Sequence, residues 1–177
     1  NSAIENLEEN IDLNEIVNIK DKYLKLSIKK ELNLLSDTIT VGDMQNLIRL
    51  DVQGAESLEG LQYAKNLESL NIEYNEINDL SPLKDLKKLT DLKANPQIIS
   101  AGTVYKKDNN LTIDYDVLNR KGEKLLPTKI IVRNNKTLND TTLNIEECLD
   151  EKGMISFDAT NFDENVYSVY LGYEDTN

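Results

Sequence analysis

Leucines recur at a nearly fixed step along residues 47–94, and no other feature constrains the fold as strongly. Triplets spaced L-x-x-L-x-[LIVA] fall at Leu47, Leu50, Val52, at Leu67, Leu70, Ile72 and at Leu89, Leu92, Ala94. A second set follows the first two triplets, Leu58, Leu61, Ala64 and then Leu80, Leu83, Leu86, at a step of 22 residues. The first set steps by 22 from Leu67 to Leu89 but by 20 from Leu47 to Leu67, so the turn between Val52 and Leu58 is shortened. Period-two alternation points Leu50 and Val52 inward and Asp51 outward along a strand. The spacing of three in the second set suits a 3₁₀-type return turn, and Ser81-Pro82 supplies a capping residue followed by a proline at a helical start. A coil with one apolar side cannot bury it alone, so successive coils must stack. Asn75, at the bend after the second strand, reads as structural: its amide can satisfy backbone groups where strand pairing stops.

The flanks differ. Asp21 to Leu32 carries Leu24, Ile28 and Leu32 at i, i+4, i+8, an amphipathic helix. Thr40-Val41-Gly42-Asp43 has the T-x-x-D form of a capping box and opens a second short helix. These helices are expected to cover the first coil, and residues 1–15 form an acidic lead-in, helical or disordered. After Asn95-Pro96 the leucine period stops. Leu111 to Val117 alternates, and Lys129 to Val132, Met154 to Phe157 and Val166 to Tyr173 also read as strands. Asn119-Arg120-Lys121-Gly122 and Asp150-Glu151-Lys152-Gly153 punctuate them as turns. About five strands without a long helix suggest a small β-sandwich. Alternation places Tyr167, Val169, Leu171 and Tyr173 on one face of the last strand and Tyr170 on the other, where an aromatic contact is one reading and a rim position the other.

Charge and composition narrow the chemistry. Twenty Lys and Arg stand against 32 Asp and Glu, a net charge of −12 over 177 residues. That balance argues against nucleic acid and against direct membrane binding. No histidine is present, which removes the commonest general base and metal ligand. Cys148 is the single cysteine, and its neighbours Glu146 and Glu147 would raise the thiol pKa and blunt it as a nucleophile. The adjacent carboxylate pairs Glu8-Glu9 and Glu146-Glu147 read as solvated runs. Asp158, Asp163 and Glu164 would at best hold calcium loosely, and a solvated loop is the plainer reading. No catalytic residue, metal site or cofactor motif is assigned, and no cofactor is expected. No apolar run approaches a membrane span, and no signal peptide opens the sequence. Leu126-Pro127-Thr128-Lys129 lacks the glycine of a wall-sorting motif, so any anchor is expected beyond Asn177.

Three stretches carry a resemblance. Ile39 to Met44 followed by Leu47 to Val52, then Gly60 to Leu67, then Asn75 to Leu83 resemble the cap-to-repeat junction, first repeat and 22-residue consensus of internalin-type leucine-rich-repeat proteins of Gram-positive bacteria. The resemblance covers roughly residues 16–99. It implies a helical N-cap and a short leucine-rich-repeat solenoid over 16–99, then a small Ig-like β-sandwich over 100–177, an α+β repeat architecture. It also implies an extracellular or cell-surface location and a protein partner, from the host or the bacterial surface, held on the concave strand face. Carried over, that face is Arg49, Asp51, Gln53, Ser69, Asn71, Glu73, Asp91 and Lys93. Three strands about 4.8 Å apart make a face far narrower than the roughly 800 Å² that a stable interface buries per partner, and none of the eight residues is aromatic. Two functions therefore stand open: a non-catalytic protein-binding or adhesion module, or a rigid spacer that holds another segment away from the wall. A binder should expose an apolar or aromatic patch on the β-region or at the seam. A spacer should not.

Overall fold

The structure is a computed structural model that describes residues 10–95, 97–105, 109–163 and 166–174. Most of the lead-in, Glu8-Glu9, Pro96, Glu164 and the last three residues lie outside the described residues. Helix α1 (Lys22–Glu31) starts at Asp21, whose side chain accepts hydrogen bonds from the Tyr23 and Leu24 backbone N–H groups, and it buries Leu24 and Ile28. Helix α2 (Val41–Gln45) opens on a full capping box between Thr40 and Asp43. Strands β1 (Arg49–Asp51), β2 (Ser69–Asn71) and β3 (Asp91–Lys93) pair in parallel, with Leu50, Leu70 and Leu92 in register. Short 3₁₀ turns at Leu61–Tyr63 and Ser81–Leu83 return the chain. The leucines of both sets bury in one core cluster that runs from Val17 to Ala94, save Leu92, which is half-buried against it.

Seven further elements follow: β4 (Gln97–Tyr105), β5 (Asn110–Ile113), β6 (Lys129–Asn134), β7 (Asp140–Thr142), α3 (Ile145–Cys148), β8 (Ile155–Asp158) and β9 (Val166–Tyr173). An antiparallel sheet of order β4-β9-β6-β7 faces the pair β5-β8. Between them lies a second core cluster containing Ile99, Ile130, Val132, Phe157, Tyr167, Val169, Leu171 and Tyr173. β4 bends at a register shift between Ser100 and Gly102, where Gly102 holds φ 102°, the conformation a bulge asks of glycine. No helix among the described residues is long and apolar enough to cross a membrane.

This architecture corrects the expected one. The chain is mostly β with little helix, and it forms neither a helically capped leucine-rich-repeat solenoid nor an Ig-like sandwich. The reason is extent. The apolar triplets build one sheet of three strands, three residues each, and β4 begins at Gln97 in a different sheet, four residues after β3 ends at Lys93. Stacking thus stops before a solenoid develops. On the other side, only the β5-β8 pair opposes the four-stranded sheet, since Leu111 to Val117 keeps strand pairing only as far as Ile113.

The two core clusters meet in a hydrogen-bonded seam. Leu118 N–H donates to the Asn78 carbonyl (2.8 Å), and Leu80 N–H donates to the Leu118 carbonyl (3.0 Å). Gln97 is fully buried. Its side-chain amide donates to the Ala94 carbonyl at 2.7 Å and to that of Ile72, and its carbonyl oxygen accepts from Ile77 N–H.

Candidate recognition site

Two tyrosines from opposite sides of the seam share a cleft. On the four-stranded sheet, side chains alternate: Tyr167, Val169, Leu171 and Tyr173 are buried, while Ser168 and Tyr170 turn to the other face. Pairing lines that outer face up in rows, Ser100–Tyr170–Ile131–Thr142 and beside it Thr103–Ser168–Arg133–Asp140. The Arg133 guanidinium lies 5.3 Å from the centre of the Tyr170 ring, within cation–π range. It also forks onto Asp140, Nε to Oδ1 at 2.7 Å and Nη2 to Oδ2 at 2.9 Å. That bond holds the Asp140 carboxyl below its ordinary pKa and lifts that of Arg133.

The other wall comes from the bend after β2. Asn75 is 2% exposed. Its Nδ2 donates to the carbonyls of Val52 (2.8 Å), Ile72 (2.9 Å) and Glu73 (3.1 Å), and its Oδ1 accepts from Ala55 N–H (2.9 Å). The structural role read from its position is what these bonds describe. Tyr74, one residue earlier, has φ +58° and is 78% exposed. A side chain in the left-handed region costs roughly 1–2 kcal/mol, and such strain gathers at functional positions. The Asn75 carbonyl accepts from Ile98 N–H at 3.3 Å, which draws the bend against β4. Between bend and sheet opens a cleft of about 350 Å³, with Tyr74 and Glu76 on one side, Ile98, Ile131 and Tyr170 as its apolar lining, and the Arg133–Asp140 pair closing it.

The eight residues carried over by resemblance sit elsewhere. β1, β2 and β3 bring Arg49, Ser69 and Asp91 into one row and Asp51, Asn71 and Lys93 into another, with Gln53 and Glu73 just beyond the strands. The Ser69 hydroxyl donates to Asp91 Oδ2 at 2.8 Å, and Asn71 Oδ1 accepts from Glu73 N–H at 3.1 Å. Arg49, Asp51, Gln53, Asp91 and Lys93 are exposed, and Ser69, Asn71 and Glu73 are half-buried. These side chains form a polar face, and no residue of the seam cleft belongs to it. Tyr74 and Ile98 escaped selection because they follow neither the leucine period nor a strand expected from sequence. Tyr170 was signalled by alternation alone.

Other candidates offer less. Cys148 is buried, and burial, with a smaller push from Glu147, raises its thiol pKa, so desolvation leads where acidic neighbours alone were expected to act. Asp158 Oδ1 accepts from the Thr160 backbone and hydroxyl. Among the described residues no group of three or more His, Cys, Asp or Glu is placed to hold a metal ion. Hollows of about 490 Å³ beside α3 and about 530 Å³ near Asn10 and Tyr63 are larger than the seam cleft. The first is lined by Glu147, Asp150 and Asp158, and the second begins where the described chain begins.

No family model and no curated protein matches the chain. Among solved structures, it is similar to one of the CBM51-2 and INT domains from Clostridium perfringens ZmpB, at 38% identity over 93% of this chain, with a TM-score of 0.75. A second structure of those domains, with CBM51-2 in complex with GlcNAc, matches at 38% identity, 93% coverage and a TM-score of 0.74. The match covers 34% of each of those chains, so this chain spans about a third of their length. Two Listeria monocytogenes internalins, inlF and inlC2, match at 35% and 31% identity over 41% and 48% of this chain and 23% and 40% of theirs. Their TM-scores are 0.40 and 0.43. A likeness that runs over nearly the whole chain to a structure of CBM51-2 and INT domains takes the place of the expected solenoid and sandwich.

Proposed function

We propose that this chain is a non-catalytic binding module, an adhesion element of a secreted or cell-surface Gram-positive protein, and that it recognises a protein partner at the seam cleft. The observation that carries the reading is Tyr74. A large aromatic side chain is held in a strained backbone conformation and turned to solvent beside Ile98 and Tyr170. A ring turned to solvent adds no buried area to the fold, whereas exposed aromatics next to apolar neighbours are what interfaces use as anchors. The likeness to domains of a Clostridium protein supports the bacterial setting. A division near residue 99 suits the two core clusters.

The spacer is the second reading, favoured by the hydrogen bonds that stitch the seam. The face at Arg49, Asp51, Gln53, Ser69, Asn71, Glu73, Asp91 and Lys93 is the rival location for a binder. One surface plasmon resonance experiment separates the three. The immobilised chain is exposed to purified host extracellular proteins and to GlcNAc-terminated glycans, because CBM51-2 of the similar structure was solved with GlcNAc. Beside it run a Tyr74→Ser/Tyr170→Ser double variant and a variant with Arg49, Glu73 and Lys93 reversed in charge. Saturable binding lost in the tyrosine variant alone supports the cleft. Binding lost only on charge reversal moves the site to the strand face. Silence from every analyte leaves the spacer.

A further inference from the structure

Resting on the cleft as the recognition site, we infer that its ligand is a peptide segment of a protein, one that inserts an aliphatic side chain next to a lysine or arginine. Three observations lead there. First, the strongest polar pair of the cleft is engaged with itself. Two N–H groups of the Arg133 guanidinium lie on Asp140, at 2.7 and 2.9 Å, and the Asn75 amide spends its donors and its oxygen on backbone groups. A sugar ring presents several hydroxyls that each need a partner when desolvated, and here Glu76, the tyrosine hydroxyls and the remaining Arg133 N–H groups would have to supply them all.

Second, the aromatic and aliphatic groups suit a side chain better than a pyranose. The Arg133 guanidinium already lies against Tyr170, which leaves that ring less face to offer. The floor is two branched side chains, Ile98 and Ile131, whose shape accepts a leucine or isoleucine. At about 350 Å³ the cleft sits at the small end of the roughly 300–1,000 Å³ range of ligand pockets, room for one or two side chains of a passing segment.

Third, charge selects the neighbour. Asp140 is neutralised by Arg133, whereas Glu76 is exposed and forms no ion pair among the described residues. The cleft therefore carries one uncompensated carboxylate at its lip, on a chain of net charge −12. Field and local charge both draw a cation there and repel an acidic segment.

The test is an NMR titration of the whole, isotope-labelled chain, with amide shifts reporting the place of binding. Four probes are used: a capped lysine–leucine–lysine peptide, its glutamate–leucine–glutamate and lysine–serine–lysine counterparts, and the GlcNAc disaccharide. The first peptide is expected to shift amides at Tyr74, Glu76, Ile98, Ile131 and Tyr170 saturably, at least five-fold more tightly than either counterpart. Glu76→Gln, an exposed substitution that leaves the core intact, should weaken it roughly two- to five-fold. Equal affinity for the three peptides, or shifts confined to other surfaces, overturns the inference. Shifts at the cleft from the disaccharide alone overturn it too but leave the cleft as the recognition site, whereas no shift there from any probe refutes both.

Discussion

Replacing Asn75 with alanine removes one side chain and strips four backbone groups of a partner. Of these, Ala55 N–H is fully buried, and its bond to Asn75 Oδ1 and that from Nδ2 to the Val52 carbonyl tie the shortened turn to the bend after β2. The Ile72 carbonyl keeps its bond from Gln97, so it is not left bare. An unsatisfied buried backbone group costs about 1–3 kcal/mol. Counting Ala55 N–H and the Val52 carbonyl, with some relief from entering water, gives a loss of roughly 3 kcal/mol. Against a usual stability of about 5–15 kcal/mol, that is a drop in melting temperature of roughly 6–12 °C for a chain of this size. Urea unfolding followed by circular dichroism measures it directly. Asn75→Asp sharpens the test. Its carboxylate keeps the acceptor for Ala55 N–H but sets a charge against three carbonyls, so burial raises its pKa in the folded state. The folded form then holds its proton more tightly than the unfolded one, and stability falls as pH rises from about 4, the ordinary aspartate value. The variant is least impaired in acid. A loss below about 1 kcal/mol in Asn75→Ala, or a pH-independent defect in Asn75→Asp, would refute the account of the bend given above.

Three further outcomes are expected. Tyr115 is buried with a hydroxyl that has no hydrogen-bond partner among the described residues, so Tyr115→Phe should be neutral or stabilising by up to about 1 kcal/mol in thermal unfolding. Burial first, then Asp114 and Asp150, lifts its pKa to about 12. The unfolded chain ionises near 10, so wild-type stability should decline between those values more steeply than that of Tyr115→Phe. Burial acts to raise the Asp21 pKa, but hydrogen bonds from the N–H groups of Leu24, Glu56, Ser57 and Tyr23 outweigh it and leave the pKa lowered. Its contribution is then present above about pH 4 and lost as pH falls through the lowered value, and Asp21→Ala should cost about 1–2 kcal/mol at neutral pH, measured by urea unfolding, with a smaller deficit in acid.

How much of this was readable beforehand depends on the range of the interaction. Local signals were legible: the capping box at Thr40 and Asp43, the helix start at Asp21, the inward leucines that became β1 to β3, and the amide of Asn75. All of these act across a few residues or one repeat. β4 and β7 were not foreseen, since Gln97 to Tyr105 is broken by Gly102 and Asp140-Thr141-Thr142 has no apolar pattern. They become strands only because β9 and β6 lie beside them. With them went the cleft. Its residues come from positions 74 to 170, brought together by sheet pairing that no periodicity encodes. Alternation did turn Tyr170 outward, and an exposed aromatic patch at the seam was the stated mark of a binder. What was missing was Tyr74, whose exposure follows from a left-handed backbone at one residue. The three strands of the repeats were anticipated, but that they would amount to a solenoid was misjudged for a related reason: a repeat period reports the shape of one turn and says little about the architecture its neighbours build.

The seam also bears on how the chain behaves under load. Tension passed from the first core cluster to the second runs through the covalent chain at Asn95, the buried clamp of Gln97 on Ile72, Ile77 and Ala94, the bond from Ile98 N–H to the Asn75 carbonyl, and the backbone bridge of Asn78 and Leu80 with Leu118. Of these the Gln97 clamp is sheltered from water, so a rupture of the joint has to break buried hydrogen bonds. The cleft straddles the same joint, Tyr74 on one bank and Tyr170 on the other. Anything seated there becomes a further strut, and the joint stiffens while the ligand is held.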